Sequence, residues 1–98
     1  MPLYIAEFAD MQVYNGNLIP MAYAPPLAEQ RITISGTSTQ SSAFNAKTKS
    51  IRVHTDAICS IALGANPTAA VTNMRMVAGQ TEYFAVSPGD KIAVITNT

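Results

Sequence analysis

The feature that most limits the fold of this chain is an apolar pattern that repeats every second residue in short segments. At residues 50–55, for example, Ile51 and Val53 alternate with Arg52 and His54. Alternate side chains of a β-strand face opposite sides of a sheet, whereas a helix needs a period near 3.6. No segment shows a convincing helical stripe, so the pattern predicts an all-β fold.

Turn-forming residues separate these segments at intervals of about ten residues, as in all-β domains. Pro88 and Gly89 occupy the centre of a four-residue run, as a type II turn requires, and Pro67 marks another turn. Between the turns we expect strands near residues 29–35, 50–55, 58–63, 74–77, 81–86 and 91–96. Strands of this length and spacing predict a small antiparallel β-sandwich or barrel, of the jelly-roll-like or immunoglobulin-like kind.

The first 27 residues differ from the rest and predict an extended N-terminal arm. Leu3 and Ile5 suggest a short strand, but the prolines that follow remove amide donors and hold the chain extended. We divide the chain into an arm at 1–27 and a β-sandwich domain at 28–98. Disordered tails lack large apolar side chains, so those of the arm need a cover, from their own domain or from a neighbouring subunit. The candidate interface residues are Leu18, Ile19, Met21, Tyr23 and Leu27.

Size and charge limit the classes of function. The chain has 98 residues with six basic and six acidic side chains, and charged residues make up only 12% of it. A neutral chain of this size is one small domain that does not hold nucleic acid mainly by charge. So few charges favour association of such surfaces over repulsion. The uncharged stretches are interrupted by Pro, Asn and Thr and predict no membrane span, and the first eight residues predict no signal peptide.

Candidate reactive residues are few. The only cysteine, Cys59, and the only histidine, His54, would have to act as nucleophile and base. If strands 50–55 and 59–63 form a hairpin with their apolar residues inward, Val53 pairs with Cys59 and His54 points outward beside Arg52. Cys59 is then an inert core residue, while Arg52, His54 and Asp56 share a face where an ion pair can form. We therefore predict no catalytic residue and no enzyme.

Ligand sites are also sparse in the sequence. One histidine and scattered acids supply no metal cluster, and isolated glycines supply no phosphate cradle, so we predict no metal, cofactor or small-molecule substrate. The four tyrosines are dispersed and tryptophan is absent, which disfavours a platform for sugar rings.

Two strings carry a resemblance to known proteins. The sequence ALGANPTA at 62–69 and the sequence AGQTEYFAVSPGDKIAVI at 78–95 resemble a group of small proteins encoded among the structural genes of tailed bacteriophages and prophages. The similarity runs from about residue 27 to the carboxyl end. It carries no catalytic signature, and no site residue is transferred from it.

The resemblance implies a virion component made in the bacterial cytoplasm. Among such components, a capsid decoration or cement protein fits the small size and β-rich pattern. Its partners would be the major capsid protein and copies of itself, as a homo-oligomer such as a trimer on the capsid surface. The alternatives are a tail or fibre-base adaptor and a prophage-encoded binding module.

Overall fold

The computed structural model describes residues 1–9 and 27–98 in full and, between them, the backbone of two strands at 11–14 and 17–22. The described residues contain strands and turns but no helix. In chain order the strands are β1 Pro2–Phe8, β2 Met11–Tyr14, β3 Asn17–Ala22, β4 Ala28–Thr33, β5 Thr39–Gln40, β6 Ser50–Thr55, β7 Cys59–Gly64, β8 Met74–Met76, β9 Thr81–Ala85 and β10 Lys91–Thr96.

Eight of these strands form two four-stranded antiparallel sheets. Sheet 1 has the order β4-β1-β6-β9, and sheet 2 has the order β5-β10-β7-β8. Strands β2 and β3 pair with each other in a separate two-stranded unit. The prediction of an all-β chain built as a small antiparallel β-sandwich is confirmed.

One apolar core lies between the two sheets. In β1, β6, β7 and β10 every second residue faces inward, which is the arrangement that the two-residue period predicts. The buried cluster consists of Leu3, Ile5, Ile34, Phe44, Ile51, Val53, Cys59, Ile61, Met76, Ile92 and Val94. Both sheets contribute to this core, so each sheet buries its apolar face against the other.

Strand β1 differs from the predicted arm. The sequence pattern assigns residues 2–8 to the arm, whereas β1 is an inner strand of sheet 1, paired with β4 on one side and β6 on the other. The reason is the alternation of apolar residues in β1, which places Leu3 and Ile5 in the core. Burying two such side chains has a lower free energy than leaving them in water on a free arm. These residues therefore belong to the sandwich. The extended course predicted for residues 10–26 falls outside the described residues, apart from the paired strands β2 and β3.

The predicted hairpin between β6 and β7 is wrong. Strand β6 pairs with β1 and β9, and β7 pairs with β10 and β8, so the two strands lie in different sheets. A shared core-facing pattern requires only that both strands face one core, and strands on opposite sides of that core satisfy it equally. The outcome for the side chains is unchanged: Cys59 is buried, and His54 lies on the outer side of sheet 1.

The turn at residues 87–90 is as predicted. Gly89 has a φ of 83°, and the amide of Asp90 donates to the carbonyl of Ser87 at 3.1 Å. A type II turn requires this left-handed conformation at its third residue, which glycine adopts without a steric penalty. The turn joins β9 of sheet 1 to β10 of sheet 2.

The loop at residues 65–73 packs onto the outer face of sheet 2. Ser60 points away from the core, yet it is fully buried, and its hydroxyl donates to the carbonyl of Val71 at 3.4 Å. The amide of Gln40 donates to the carbonyl of Pro67 at 2.6 Å, and the backbone amide of Ala69 donates to a serine hydroxyl at 2.9 Å. These bonds hold the loop against the sheet, so sheet 2 has apolar or hydrogen-bonded contacts on both faces.

Candidate functional site

The outer face of sheet 1 brings together polar and aromatic side chains from four strands. Because the strands are in register, two rows of residues cross the sheet, and we call them together the open face. The first row is Arg31, Tyr4, His54 and Thr81, and the second is Glu29, Ala6, Arg52 and Tyr83. Tyr4 and Tyr83, which are far apart in the sequence, thus share one surface on either side of β6. They are 39% and 45% exposed.

A depression of about 260 Å³ opens on this face. Ala6 lies in both the second row and the centre of the depression, where its single methyl group leaves space between longer neighbours. The residues that line the depression are Tyr4, Ile5, Ala6, Glu29, Gln30, Arg52 and His54. A concave surface with several convergent polar groups is the usual form of a small-ligand site.

His54 is held in place by contacts on three sides. Its Nδ1 lies 2.7 Å from the hydroxyl oxygen of Thr81, and its Nε2 lies 3.7 Å from Oδ1 of Asp56. Its ring centroid is 6.4 Å from that of Tyr4, with the planes tilted by 42°. His54 and Asp56 are thus neighbours on the outer side of sheet 1, as the sequence suggested. The contacts fix the imidazole and the phenol as one wall of the depression.

Glu29 and Arg52 face each other across Ala6. Both are directly opposite Ala6 in the strand register, one on β4 and the other on β6. Within the part of the chain that the structure describes, neither side chain has a hydrogen bond or an ion pair. No described residue therefore occupies the acceptor group of Glu29 or the donor groups of Arg52.

Glu7 is a buried carboxylate that the sequence pattern did not single out. It is 1% exposed, and its Oε1 accepts hydrogen bonds from the backbone amide of Asn45 at 2.7 Å and the hydroxyl of Thr48 at 2.8 Å. Its Oε2 accepts one from the side-chain amide of Gln30 at 2.9 Å. Three donors satisfy the buried charge, which a buried carboxylate requires. The sequence did contain a signal for the burial of Glu7. It lies two residues after the core residue Ile5 and therefore on the same side of β1.

The thiol of Cys59 is enclosed in the core. Burial raises the pKa of the Cys59 thiol above its ordinary value, and a hydrogen bond to the hydroxyl of Thr55, at 3.5 Å, acts in the opposite direction. A raised pKa keeps the thiol protonated and weakens it as a nucleophile. The structure therefore separates Cys59 from His54, as expected, although by placing them in different sheets.

The predicted interface residues fall largely outside the residues whose side chains are described. Leu18, Ile19 and Met21 lie in β3, of which only the backbone is described, and Tyr23 lies outside the described residues altogether. Leu27 is exposed, and its backbone amide donates to the carbonyl of Glu7 at 2.7 Å, which anchors the beginning of β4 to β1. The interface itself stays a prediction.

Apolar side chains are exposed along one edge of sheet 2. Among the described strands β8 pairs only with β7, so no described strand covers its other edge. Met74 in this strand is 53% exposed, and Val71 in the preceding loop is 58% exposed. Val77 directly after the strand and Leu63 in β7 are exposed as well. We call these four residues the β8 edge patch.

The described residues contain neither a metal-binding cluster nor a membrane-spanning helix. Among residues 1–9 and 27–98, no three His, Cys, Asp or Glu side chains converge in a way that would hold a metal ion. The described chain also has no helix with the length and apolar character needed to cross a bilayer.

Comparisons of the chain with protein-family models, with curated proteins and with solved structures find no match.

Proposed function

We propose that this protein is a structural component of a bacteriophage virion, a capsid decoration protein that binds the assembled head and copies of itself. The proposal starts from the two strings at 62–69 and 78–95 and their resemblance to small proteins of phage structural gene clusters. In the fold these strings include the end of β7, the first part of loop 65–73, all of β9 and all but the last residue of β10, so they supply parts of both sheets. They therefore correspond to the framework of the sandwich and not to a reactive site.

The β8 edge patch is the observation that carries the proposal. An open strand edge presents unpaired backbone groups, and soluble monomers usually protect such edges with charges or prolines. Here Met74 and Val71 are exposed beside it, with Arg75 as the only charged residue of the strand. An apolar open edge of this kind favours contact with another subunit.

Multiple display explains how so small a surface can hold a particle together. Each contact of a 98-residue domain is weak, but a lattice of capsid subunits binds many copies at once, and linked contacts multiply the apparent affinity. The arm residues Leu18, Ile19, Met21, Tyr23 and Leu27 would add a second contact to a neighbouring subunit. A chain of zero formal charge is also better suited to the outer capsid surface than to contact with packaged DNA.

Quantitative mass spectrometry of purified particles tests the proposal. A decoration protein is present in at least tens of copies per head and remains after the tails are removed. Absence from mature heads would refute the proposal. The alternative of a tail or fibre-base adaptor predicts copy numbers that follow tail symmetry, about three, six or twelve. A prophage-encoded binding module predicts a monomer in solution and no copies in particles.

Two sets of substitutions test which surface makes the contact. Met74→Lys places a charge in the β8 edge patch, and the triple change Leu18→Ser, Ile19→Ser and Met21→Ser removes the apolar character of the arm. We expect each to lower the number of copies per head, while Lys47→Ser, on the exposed loop before β6, leaves it unchanged. Truncation of the whole arm is unsuitable because it also removes β1 from sheet 1.

A further inference from the structure

The open face carries a second inference that does not depend on the location of the protein. We propose that the depression around Ala6 is a binding site for one neutral pyranose ring, with Tyr4 as its stacking surface and Arg52 and Glu29 as its hydrogen-bonding partners. The site lies on sheet 1, whereas the β8 edge patch belongs to sheet 2. A protein attached through that edge could therefore still bind a sugar.

The aromatic side chains supply the surface on which a sugar ring can stack. Tyr4 is 39% exposed and is braced by the His54 ring at a centroid distance of 6.4 Å. His54 is in turn hydrogen-bonded to Thr81. A braced ring loses little side-chain freedom when a ligand packs against it, which lowers the entropic cost of binding. Two of the four tyrosines, Tyr4 and Tyr83, thus share one face because of the strand register, and Tyr4 is the one that lines the depression.

The polar groups select a neutral polyhydroxyl ligand. A guanidinium only donates hydrogen bonds and a carboxylate only accepts them, and these two groups stand on opposite sides of Ala6 without pairing to each other. A sugar hydroxyl can accept from Arg52, and another can donate to Glu29. A simple anion would be repelled by Glu29, and a simple cation by Arg52. Among compact ligands, a polyol or a zwitterion satisfies both groups.

The size of the depression suits a ligand portion of a single ring. Its volume of about 260 Å³ is below the range of about 300–1,000 Å³ that holds drug-sized molecules. A ring has apolar C–H groups on its face for Tyr4 and hydroxyl groups on its rim for Arg52 and Glu29. A small zwitterion such as glycine lacks the apolar face, so the exposed tyrosine favours the sugar over it.

An NMR titration of the full-length ¹⁵N-labelled protein tests this site. The probes are glucose, galactose, mannose and N-acetylglucosamine, each added to about 50 mM, because one small ring is expected to bind with a Kd on the order of 1–10 mM. We expect at least one sugar to shift the amide signals of Tyr4, Ala6 and Arg52 in a saturable manner. The signals of β8 in sheet 2 should not move.

Variants separate stacking from hydrogen bonding. We expect Tyr4→Ala and Arg52→Ala each to weaken binding at least tenfold, whereas Tyr4→Phe retains the ring and the affinity. Arg75→Ala, which removes a guanidinium from the edge strand β8, is the matched control and should bind like the wild type. The amide spectrum of each variant shows whether it is folded.

Each contrary result would overturn the inference. Absence of saturable shifts with all four sugars would remove the site, and shifts confined to another surface would place it elsewhere. Full affinity in folded Tyr4→Ala would exclude the tyrosine as the stacking surface. Glycine, added to the same concentration as a zwitterionic probe, would refute the sugar class if it alone shifted these signals.

Discussion

The outer faces of the two sheets differ in how much of their surface is covered by other residues. The outer face of sheet 2 lies under loop 65–73, so Ser60 and Ala93 are fully buried although neither points into the core. The outer face of sheet 1 has no such cover from the fully described residues, and Tyr4 and Tyr83 remain exposed on it. A β-sandwich therefore need not use its two outer surfaces alike: here the described residues cover one of them and leave the other exposed.

The same substitution on each face tests this difference and gives the largest expected effect. Ala93→Leu inserts bulk into a fully closed position, so we expect a loss of about 3 kcal/mol in the free energy of unfolding. Ala6→Leu on the open face should change stability by less than about 0.5 kcal/mol, while it fills the depression. Urea unfolding of both variants measures the contrast. Equal losses would mean that both outer faces are packed.

Substitution of two glutamates compares the contribution to stability of the inner side of sheet 1 with that of its open face. Glu7→Gln replaces an acceptor with an amide that faces the donor of Gln30, and we expect a loss of about 2 kcal/mol. Gln30 cannot simply turn over, because its own oxygen accepts from the amide of Ser42 at 2.9 Å. Glu29→Gln, an exposed change of the same chemistry, should have little effect. Thermal unfolding of the two variants distinguishes the positions, and a silent Glu7→Gln would contradict the network.

The cover over sheet 2 can be loosened at Gln40. Its side-chain amide donates to Oδ1 of Asn66 at 2.9 Å and to the carbonyl of Pro67, so Gln40→Ala removes both links between β5 and the loop. We expect a loss of about 1 kcal/mol and faster hydrogen exchange at the amide of Ala69. The amides of β6 in sheet 1 serve as the internal reference. Unchanged exchange at Ala69 would show that other contacts hold the loop.

The smallest effect at neutral pH concerns Cys59. Since burial raises the pKa of its thiol, the unfolded chain loses this proton at a lower pH than the folded chain. The resulting stabilisation is complete below the ordinary value of 9.0 and is lost as the pH rises through the higher pKa of the folded protein. One such group contributes at most about 1.4 kcal/mol per pH unit. Between neutral and alkaline pH, the free energy of unfolding should fall more steeply for the wild type than for Cys59→Ala. Parallel curves for the two proteins would contradict the raised pKa of Cys59.

The period-two pattern predicted most of the strands because it depends only on which side chains avoid water. It placed Ile51, Val53 and Ile61 in the core and predicted the turn around Gly89, where backbone geometry and residue type agree. It could not decide which strands are neighbours. Burial of Val53 and Cys59 is equally satisfied by one sheet or by two facing sheets, so the predicted hairpin was wrong.

The candidate site was harder to predict for a related reason. Tyr4, Arg52 and Tyr83 meet only through the order β1-β6-β9, which no local pattern contains. Glu7 was missed because a carboxylate on the core side of a strand is unusual, and its three donors come from segments about 20 to 40 residues away. Local rules predict the strands, whereas the pairing of distant strands determines the surface.

The inner position of β1 in sheet 1 has a consequence for how the chain folds. Within the sandwich β1 precedes both of its neighbours, β4 and β6, along the chain. The edge of β1 that pairs with β4 can be covered once residue 33 has been synthesised, whereas the edge that pairs with β6 stays open until residue 55. Pairing between segments so distant along the chain closes long loops and slows folding. Sheet 1 is therefore complete only when β6 has formed, and until then one edge of the apolar strand β1 is available for pairing with other chains.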